Sequence, residues 1–346
     1  MINPKNDKPS IMNNNHKPFF LITIDTEPDN LWDKQKNITT HNADYLPRFQ
    51  SLCESYGFKP TYLTDYEMAN SSSFQDFGRN IIKNKTGEIG MHLHAWNTPP
   101  IKQLTKNDDY YRPYLIEYPV EIIKEKITSF TLHLKNIFGV KIISHRAGRW
   151  SFNETYAKIL AEQGYLVDCS VTPNVSWRYH FGDPTKNGGT DYTHFPNNCY
   201  FLDLDDISQP GNSSLLEVPV TIILGKKTSL YTSDHLLYQK IKKFLDTKIM
   251  LNRLFPHEYW FRLGFAGRPI EDLFWIIEQA RKEERFHVEF MLHSFDLMPG
   301  CNPSYPKQKH IDGLYKDIKS LFEKAQDKFR PATLAEFYNQ FKRYSH

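Results

Sequence analysis

Two histidines one residue apart, His92 and His94, end the run Gly-Glu-Ile-Gly-Met-His-Leu-His at residues 87–94. The run is apolar enough for a buried strand, and side chains two residues apart in an extended segment point to the same side. Neutral imidazole is the commonest side-chain ligand for divalent metal ions. The pair therefore predicts two ligands for one cation, the alternative being a surface or half-buried pair of histidines.

A second apolar run, residues 19–24, leads directly into the acids Asp25 and Glu27. Carboxylate oxygens suit hard and borderline cations, and these two side chains share one side of an extended segment. The run therefore predicts a carboxylate ligand, Glu27, to accompany the two imidazoles. The alternative for Glu27 is a cap at the start of a helix or loop before Pro28.

Elements that could position these groups alternate along the chain. Strand-length apolar runs occupy residues 19–25, 60–64, 87–92, 141–145, 166–170, 215–222, 287–293 and 329–332, and helical periodicity occupies 44–56, 74–84, 119–138, 152–163, 271–284 and 309–327. Alternation of this kind predicts an α/β fold with a parallel sheet of seven or eight strands, closed or nearly closed into a barrel. Barrels carry their sites at the carboxyl ends of the strands, where Asp25, His92, His145-Arg146 and His293 fall.

The chain of 346 residues is long enough for one such barrel with insertions. We expect residues 1–17 to be a disordered leader, because they are polar and rich in asparagine. Residues 18–346 then form a single barrel. A long loop at 97–118 and a helical insertion at about 224–268 interrupt its rhythm.

Composition narrows the class of protein. The formal net charge of +3 and the absence of a Lys/Arg cluster with interleaved aromatics argue against nucleic-acid binding. No run approaches 18 apolar residues, so no integral membrane segment is expected. Four widely spaced cysteines, Cys53, Cys169, Cys199 and Cys301, suggest free thiols in a reducing compartment. Together with a start that lacks a signal-peptide core, they predict a cytoplasmic protein.

Five motifs in order resemble the NodB-homology polysaccharide deacetylases, the fourth carbohydrate esterase family. They are Thr-Ile-Asp-Thr-Glu (23–27), Glu-Ile-Gly-Met-His-Leu-His (88–94), His-Arg-Ala-Gly-Arg-Trp (145–150), Asp-Cys-Ser (168–170) and Phe-Met-Leu-His-Ser (290–294). The resemblance runs from about residue 19 to about residue 338. It implies a distorted (β/α)7 barrel and metal-dependent removal of an acetyl group from a sugar.

The same resemblance implies roles for individual residues. Asp25 matches the catalytic base, Arg146 the arginine that pairs with it, and His293 the proton donor to the leaving amine. Asp168 is similar to the aspartate that positions this donor, although Asp296 could compete for that role.

Two positions depart from the usual motifs. Thr26 stands where most members have a second, metal-binding aspartate, and Glu27 is the position that other branches use. Trp96 stands where the second histidine is usual, so His94 becomes the candidate ligand and Trp96 a wall of the site. Arg149 and Trp150 are candidates for lining the substrate cleft.

These observations predict a metal-dependent carbohydrate deacetylase, a hydrolase of linear amide C–N bonds. It would remove an N-acyl group, acetyl by expectation, from an amino sugar of a surface-polysaccharide precursor, linked to a nucleotide or a lipid. Zn²⁺ is the expected metal, with Co²⁺, Ni²⁺ or Mn²⁺ as alternatives. A glycoside hydrolase on a related seven-stranded barrel and a non-catalytic carbohydrate-binding protein remain open.

Overall fold

The computed structural model of the chain describes residues 17–31, 37–183, 185, 188–225, 258–263 and 269–344. The expected leader, apart from Lys17, lies outside these residues. So does most of the expected helical insertion at about 224–268. The part of that insertion which is described includes a short strand at 258–260.

The described strands are β1 (Phe19–Thr26), β2 (Thr61–Thr64), β3 (Glu88–Leu93), β4 (Ser144–Ala147), β5 (Val167–Asp168), β6 (Tyr200–Phe201), β7 (Leu216–Glu217), β8 (Ile222–Leu224), β9 (Glu258–Trp260), β10 (His287–His293) and β11 (Arg330–Ala332). The described helices are α1 (Leu46–Ser55), α2 (Tyr66–Ala69), α3 (Ser72–Asn84), α4 (Asp108–Tyr111), α5 (Val120–Phe138), α6 (Glu154–Glu162), α7 (Ile270–Lys282), α8 (Gln308–Ala325) and α9 (Leu334–Tyr344). Strands and helices alternate, as the hydrophobic pattern predicts, from β1 to β5 and again from α7 to α9, whereas β5 to β9 follow one another without a described helix between them.

One curled sheet organises the described part of the chain. Its strand order is β10-β1-β2-β3-β4-β5-β7-β6, and β11 pairs with the start of β1. All pairs are parallel except β6 with β7. The strands β8 and β9 form a separate antiparallel pair beside β10. The prediction of a distorted (β/α) barrel is confirmed, in the form of a curled, open barrel with helices around it.

The two faces of β1 pack in different cores because side chains alternate along a strand. Phe20, Ile22 and Ile24 belong to the large core between the sheet and the helices. Phe19 and Leu21 belong to a smaller core that also contains side chains of β5, β7 and α9. Strands β5 and β7 are not neighbours of β1 in the sheet, so this smaller core fills the concave interior of the barrel.

The concave face changes character along the strands. Its amino-terminal half is apolar, and α9 closes it with Leu334, Phe337 and Phe341. Its carboxyl-terminal half carries buried polar side chains, beginning in β1 with Thr23 and Asp25. Polar groups therefore collect at the carboxyl ends of the strands, above an apolar plug.

Several predicted element boundaries differ from the structure. The predicted strand 215–222 divides into β7 and β8, which belong to different sheets, and β6 was not predicted. Within the described helices, none is long and apolar enough to cross a bilayer. The four cysteines are free thiols.

The first prediction concerns His287, which is buried at the start of β10 and donates from Nε2 to the Pro219 carbonyl oxygen at 3.0 Å. Burial lowers the pKa of His287 to about 4, whereas the unfolded chain has the ordinary value of about 6.5. As the pH falls from about 6.5 to about 4, the unfolded state therefore takes up the proton first. The stability contributed by neutral His287, about 3 kcal/mol, is then lost.

Urea denaturation across this pH range, on the parent chain and on His287→Gln, checks the prediction. Glutamine can donate to Pro219 but does not titrate, so the variant should lose less stability than the parent over this window. Parallel declines in the two proteins would contradict it.

Candidate metal centre

Three buried side chains converge at the carboxyl ends of β1 and β3. The Oε1 atom of Glu27 lies 3.0 Å from Nε2 of His92 and 2.8 Å from Nε2 of His94. In a tetrahedral zinc site with bonds of about 2.0–2.2 Å, neighbouring ligand atoms lie roughly 3.3 Å apart. Glu27 Oε1 is thus nearly as far from each nitrogen as neighbouring ligands of one ion are, and all three donor atoms lie within 4.8 Å of one another. In the described part of the chain, these three residues make up the group of His, Cys, Asp or Glu side chains whose donor atoms lie close enough together to hold one metal ion.

The alternation of β1 explains why Glu27, rather than Thr26, supplies the carboxylate. Thr26 points away from the site and donates its hydroxyl to the carbonyl of Ile24. Glu27 continues the face that carries Asp25. Its backbone is held on both sides, because its N–H donates to Ser294 Oγ at 3.0 Å and its carbonyl accepts from Asn42 at 2.7 Å.

The ring of His92 faces Glu27 with the nitrogen that is unprotonated in one neutral tautomer. Its Nδ1–H donates to the carbonyl oxygen of Arg146 at 3.0 Å, so in the neutral ring the Nε2 lone pair faces the Glu27 carboxylate. A positive species, either a proton or a metal ion, must lie between them. Burial lowers the pKa of His92, but the Asp25 and Glu27 carboxylates outweigh it and the net pKa is raised.

The other two members of the group are held in the charge states that a metal needs. Burial raises the pKa of Glu27, but hydrogen bonds from His92 and His94 bring the net pKa well below its usual range. Burial lowers the pKa of His94, which favours the neutral ring. The centre therefore offers one carboxylate and two imidazoles, the donor set of many catalytic zinc sites.

Asp25 lies beside this centre in an ion pair with Arg146. The Nη1 atom of Arg146 donates to Oδ1 of Asp25 at 2.5 Å and to the Thr23 hydroxyl at 3.1 Å. Burial raises the pKa of Asp25, but the Arg146 charge outweighs it and the net pKa is lowered. Asp25 is thus a carboxylate aimed by a fully buried guanidinium.

Arg146 has a second carboxylate partner that the sequence reasoning missed. Its Nη2 atom donates to Glu289, which also accepts from the Thr23 hydroxyl. Glu289 lies on β10 four residues before His293, on the same face of the strand. An acid within an otherwise apolar strand run is a pattern that could have revealed it.

His293 completes the group from the neighbouring strand, where β10 places it in register with Asp25. Its Nε2 atom lies 3.8 Å from Oδ2 of Asp25, and its Nδ1 atom lies 3.8 Å from Oδ2 of Asp296. The same Asp296 oxygen accepts the backbone N–H of His293 at 2.9 Å. The ring of His293 stacks on Phe295.

Asp168 lies elsewhere, so the prediction that it positions His293 does not match this geometry. Its Oδ1 atom is 2.6 Å from Nδ1 of His145, whose Nε2 is 2.8 Å from the Tyr156 hydroxyl. His145 and Asp168 are register partners in β4 and β5, one residue out of phase with Arg146. Alternation therefore places them on the helix-facing side of the sheet, while Asp296 contacts His293.

A cavity of about 230 Å³ connects these groups to the surface. It is lined by Asp25, Glu27, His92 and His293 and by Tyr114, Ala147, Arg149, Trp150, Trp177 and His180. The predicted cleft residues Arg149 and Trp150 are thus at the cavity. Both have left-handed backbones, with φ of 55° and 59°, a conformation that costs energy in non-glycine residues and often occurs at functional sites.

Trp96 lies on the other side of the centre. Its ring is 4.7 Å from the ring of His94, and it lines a neighbouring groove of about 600 Å³ instead of the cavity. The predicted wall residue therefore packs behind a candidate ligand.

Comparison with solved structures shows that this chain shares its fold with known proteins. No protein-family model matches the chain, and no curated protein is similar enough in sequence to match. A solved structure named "putative polysaccharide deacetylase from Mycobacterium smegmatis" has a TM-score of 0.54 and 13% identity, over 97% of this chain and 94% of that one. A "putative glycoside hydrolase/deacetylase from Parabacteroides distasonis" has a TM-score of 0.58 and 9% identity, over 94% of this chain and 72% of that one. The resemblance seen in the motifs thus extends to the fold.

The second prediction uses the tight contact between Gly148 and His94. A Cβ at residue 148 would lie 2.6 Å from Nδ1 of His94 and 2.6 Å from the Leu93 carbonyl oxygen. We therefore expect Gly148→Ala to displace the imidazole and to weaken Zn²⁺ binding about 10- to 100-fold, as substitutions behind a ligand do.

Calorimetric titration with Zn²⁺ measures this change. Gly313→Ala is the matched control, because nothing lies within 4 Å of the added Cβ in α8. Equal affinities in the two variants would argue against His94 as a ligand.

Proposed function

We propose that this chain is a metal-dependent hydrolase that removes an N-acyl group, acetyl by expectation, from an amino sugar. The proposal is carried by one cavity lined by Asp25, His293 and two members of the Glu27/His92/His94 donor set, Glu27 and His92. Amide hydrolysis needs an activated water, stabilisation of a developing oxyanion and a proton for the departing nitrogen. Each of these needs has a candidate group within the cavity.

Glu27, His92 and His94 would hold the cation, and Zn²⁺ suits this set of one oxygen and two nitrogens. When bound, a divalent cation supplies Lewis acidity for the acyl carbonyl and lowers the pKa of a coordinated water to about 7. Co²⁺, Ni²⁺ and Mn²⁺ bind similar mixed sites, so availability would decide among them.

The side chains of this protein then move the protons. Asp25 accepts a proton from the attacking water, and Arg146 keeps that carboxylate ionised and in place. His293 delivers a proton to the amine nitrogen as the C–N bond breaks. The products are the free carboxylic acid and the free amino sugar, with the atoms of one water molecule divided between them.

The walls of the cavity suit a sugar ring. Trp150 and Trp177 are half-buried and offer aromatic surface, and Arg149 covers the ring of the buried Tyr114, with its guanidinium carbon 5.3 Å from the ring centroid. Rings of this kind pack against the apolar face of a pyranose, while charged groups bind its hydroxyls. We propose a surface-polysaccharide precursor, linked to a nucleotide or a lipid, as the substrate.

The third prediction tests the proton-transfer roles. Asp25→Asn removes the base and His293→Ala removes the acid, so each should lower the rate of acetate release about 10²-fold or more. Both variants should keep their Zn²⁺, because neither residue belongs to the donor set.

Acetate release from N-acetylated amino sugars is measured alongside metal content and melting temperature. A folded, metal-loaded Asp25→Asn that works at the parent rate would refute the base assignment. Release of reducing sugar ends without acetate would indicate a glycoside hydrolase instead.

The fourth prediction tests the metal. Glu27→Gln keeps the size of the side chain but removes its charge, so we expect Zn²⁺ content after dialysis to fall below stoichiometric and acetate release to fall with it. Glu88→Gln is the matched control, because Glu88 is also a largely buried carboxylate but lies at the opposite end of β3. Activity that survives both Glu27→Gln and a chelator would exclude a metal-dependent reaction.

A further inference from the structure

Arg262 contacts the candidate proton donor from a segment that the sequence motifs do not include. It follows β9 and forms a parallel bridge with Met291 of β10, which brings its side chain beside His293. Its Nη2 atom lies 3.2 Å from Nδ1 of His293.

This contact specifies where the proton of a neutral His293 ring lies. A guanidinium has only donors, so Nδ1 of His293 must be the acceptor. The ring proton is then on Nε2, the atom that lies 3.8 Å from Asp25 Oδ2 at the cavity. The other neutral tautomer would turn the Nε2 lone pair toward the cavity, where it could accept a hydrogen bond but not donate one.

Asp296 would favour that other tautomer, because its Oδ2 atom lies 3.8 Å from the same Nδ1. Both oxygens of Asp296 already accept hydrogen bonds, Oδ2 from the His293 backbone at 2.9 Å and Oδ1 from Asn302 at 2.6 Å. Arg262 is closer to Nδ1 than Asp296 is. A donor and an acceptor therefore compete for one ring atom, and the donor has the shorter contact.

We propose that Arg262 is a positioning residue that holds the neutral ring of His293 in the Nε2–H tautomer. In the protonated ring, which is the form that delivers a proton to the amine and returns to neutral imidazole, Nδ1–H faces Asp296 and Nε2–H faces the cavity. Among the described residues, the carboxylates of Asp25 and Glu27 in and after β1 also interact with the charge of this ring. The inference rests on the proposed function only in giving His293 the role of proton donor.

Nitrogen-15 NMR of the histidine rings in the full-length, Zn²⁺-loaded chain tests the proposal, at a pH where the His293 ring is neutral. The signals of His293 are identified by their loss in His293→Ala. The parent should show the Nε2–H tautomer, and so should Arg262→Lys, which keeps a donor. Arg262→Met removes the donor, and its ring should shift toward Nδ1–H on Asp296.

Asp296→Asn provides a second test that leaves Arg262 in place. It removes the competing carboxylate, so the ring should remain in the Nε2–H tautomer. An Nε2–H tautomer that persists in Arg262→Met, or a switch to Nδ1–H in Asp296→Asn, would overturn the proposal.

Kinetics separate this inference from the proposed function. In Arg262→Met the His293 ring loses the contact that orients it, so kcat for acetate release should fall about tenfold with a smaller change in KM, and Arg262→Lys should recover part of that loss. If Arg262→Met shifts the tautomer but the parent chain releases no acetate, the Arg262 contact is supported and the proposed deacetylase function is refuted. An unchanged kcat together with an unchanged tautomer would refute the contact alone.

Discussion

The buried guanidinium of Arg146 is the interaction on which the site depends. Its side chain binds Asp25, Thr23 and Glu289, and its backbone carbonyl fixes the ring of His92. One residue of β4 therefore orients both the candidate base and a candidate metal ligand. Because removing one partner of a buried ion pair typically costs about 3–5 kcal/mol, the carboxylates and the arginine hold each other in place.

The barrel gives this cluster its surroundings by separating apolar from polar residues along the same strands. At the amino-terminal end, Phe19 and Leu21 pack against α9 and exclude water. Two residues further along the same face of β1, the side chains become Thr23 and then Asp25. Burial alone would raise the pKa of Asp25 and of Glu27 and favour their neutral forms. Arg146 keeps Asp25 ionised, and the imidazoles of His92 and His94 do the same for Glu27. The cost of desolvation thus explains why the charged groups lie next to each other.

Much of the site could be predicted from local patterns. The spacing of His92 and His94, and of Asp25 and Glu27, fixes which side chains share a face, because a strand alternates with a period of two. That argument also explains the departure at Thr26, whose side chain turns to the opposite face. Asp168 could not be placed by this rule alone, because alternation fixes sides only within one strand and the register between β4 and β5 comes from the structure. Asp168 lies in register with His145, one residue out of phase with Arg146, and so faces the helices.

The sequence by itself determined the order of strands and helices, and it determined that acids and histidines end several strands. Both properties depend on residues close together in the chain. Only the tertiary structure decided which of those ends meet, because β1 pairs with β10, more than two hundred residues later in the chain. Glu289, Arg262 and Asp296 acquire their partners through this pairing and through the bridge between Arg262 and Met291. No local periodicity contains such contacts, since they arise when the curled sheet brings distant segments together.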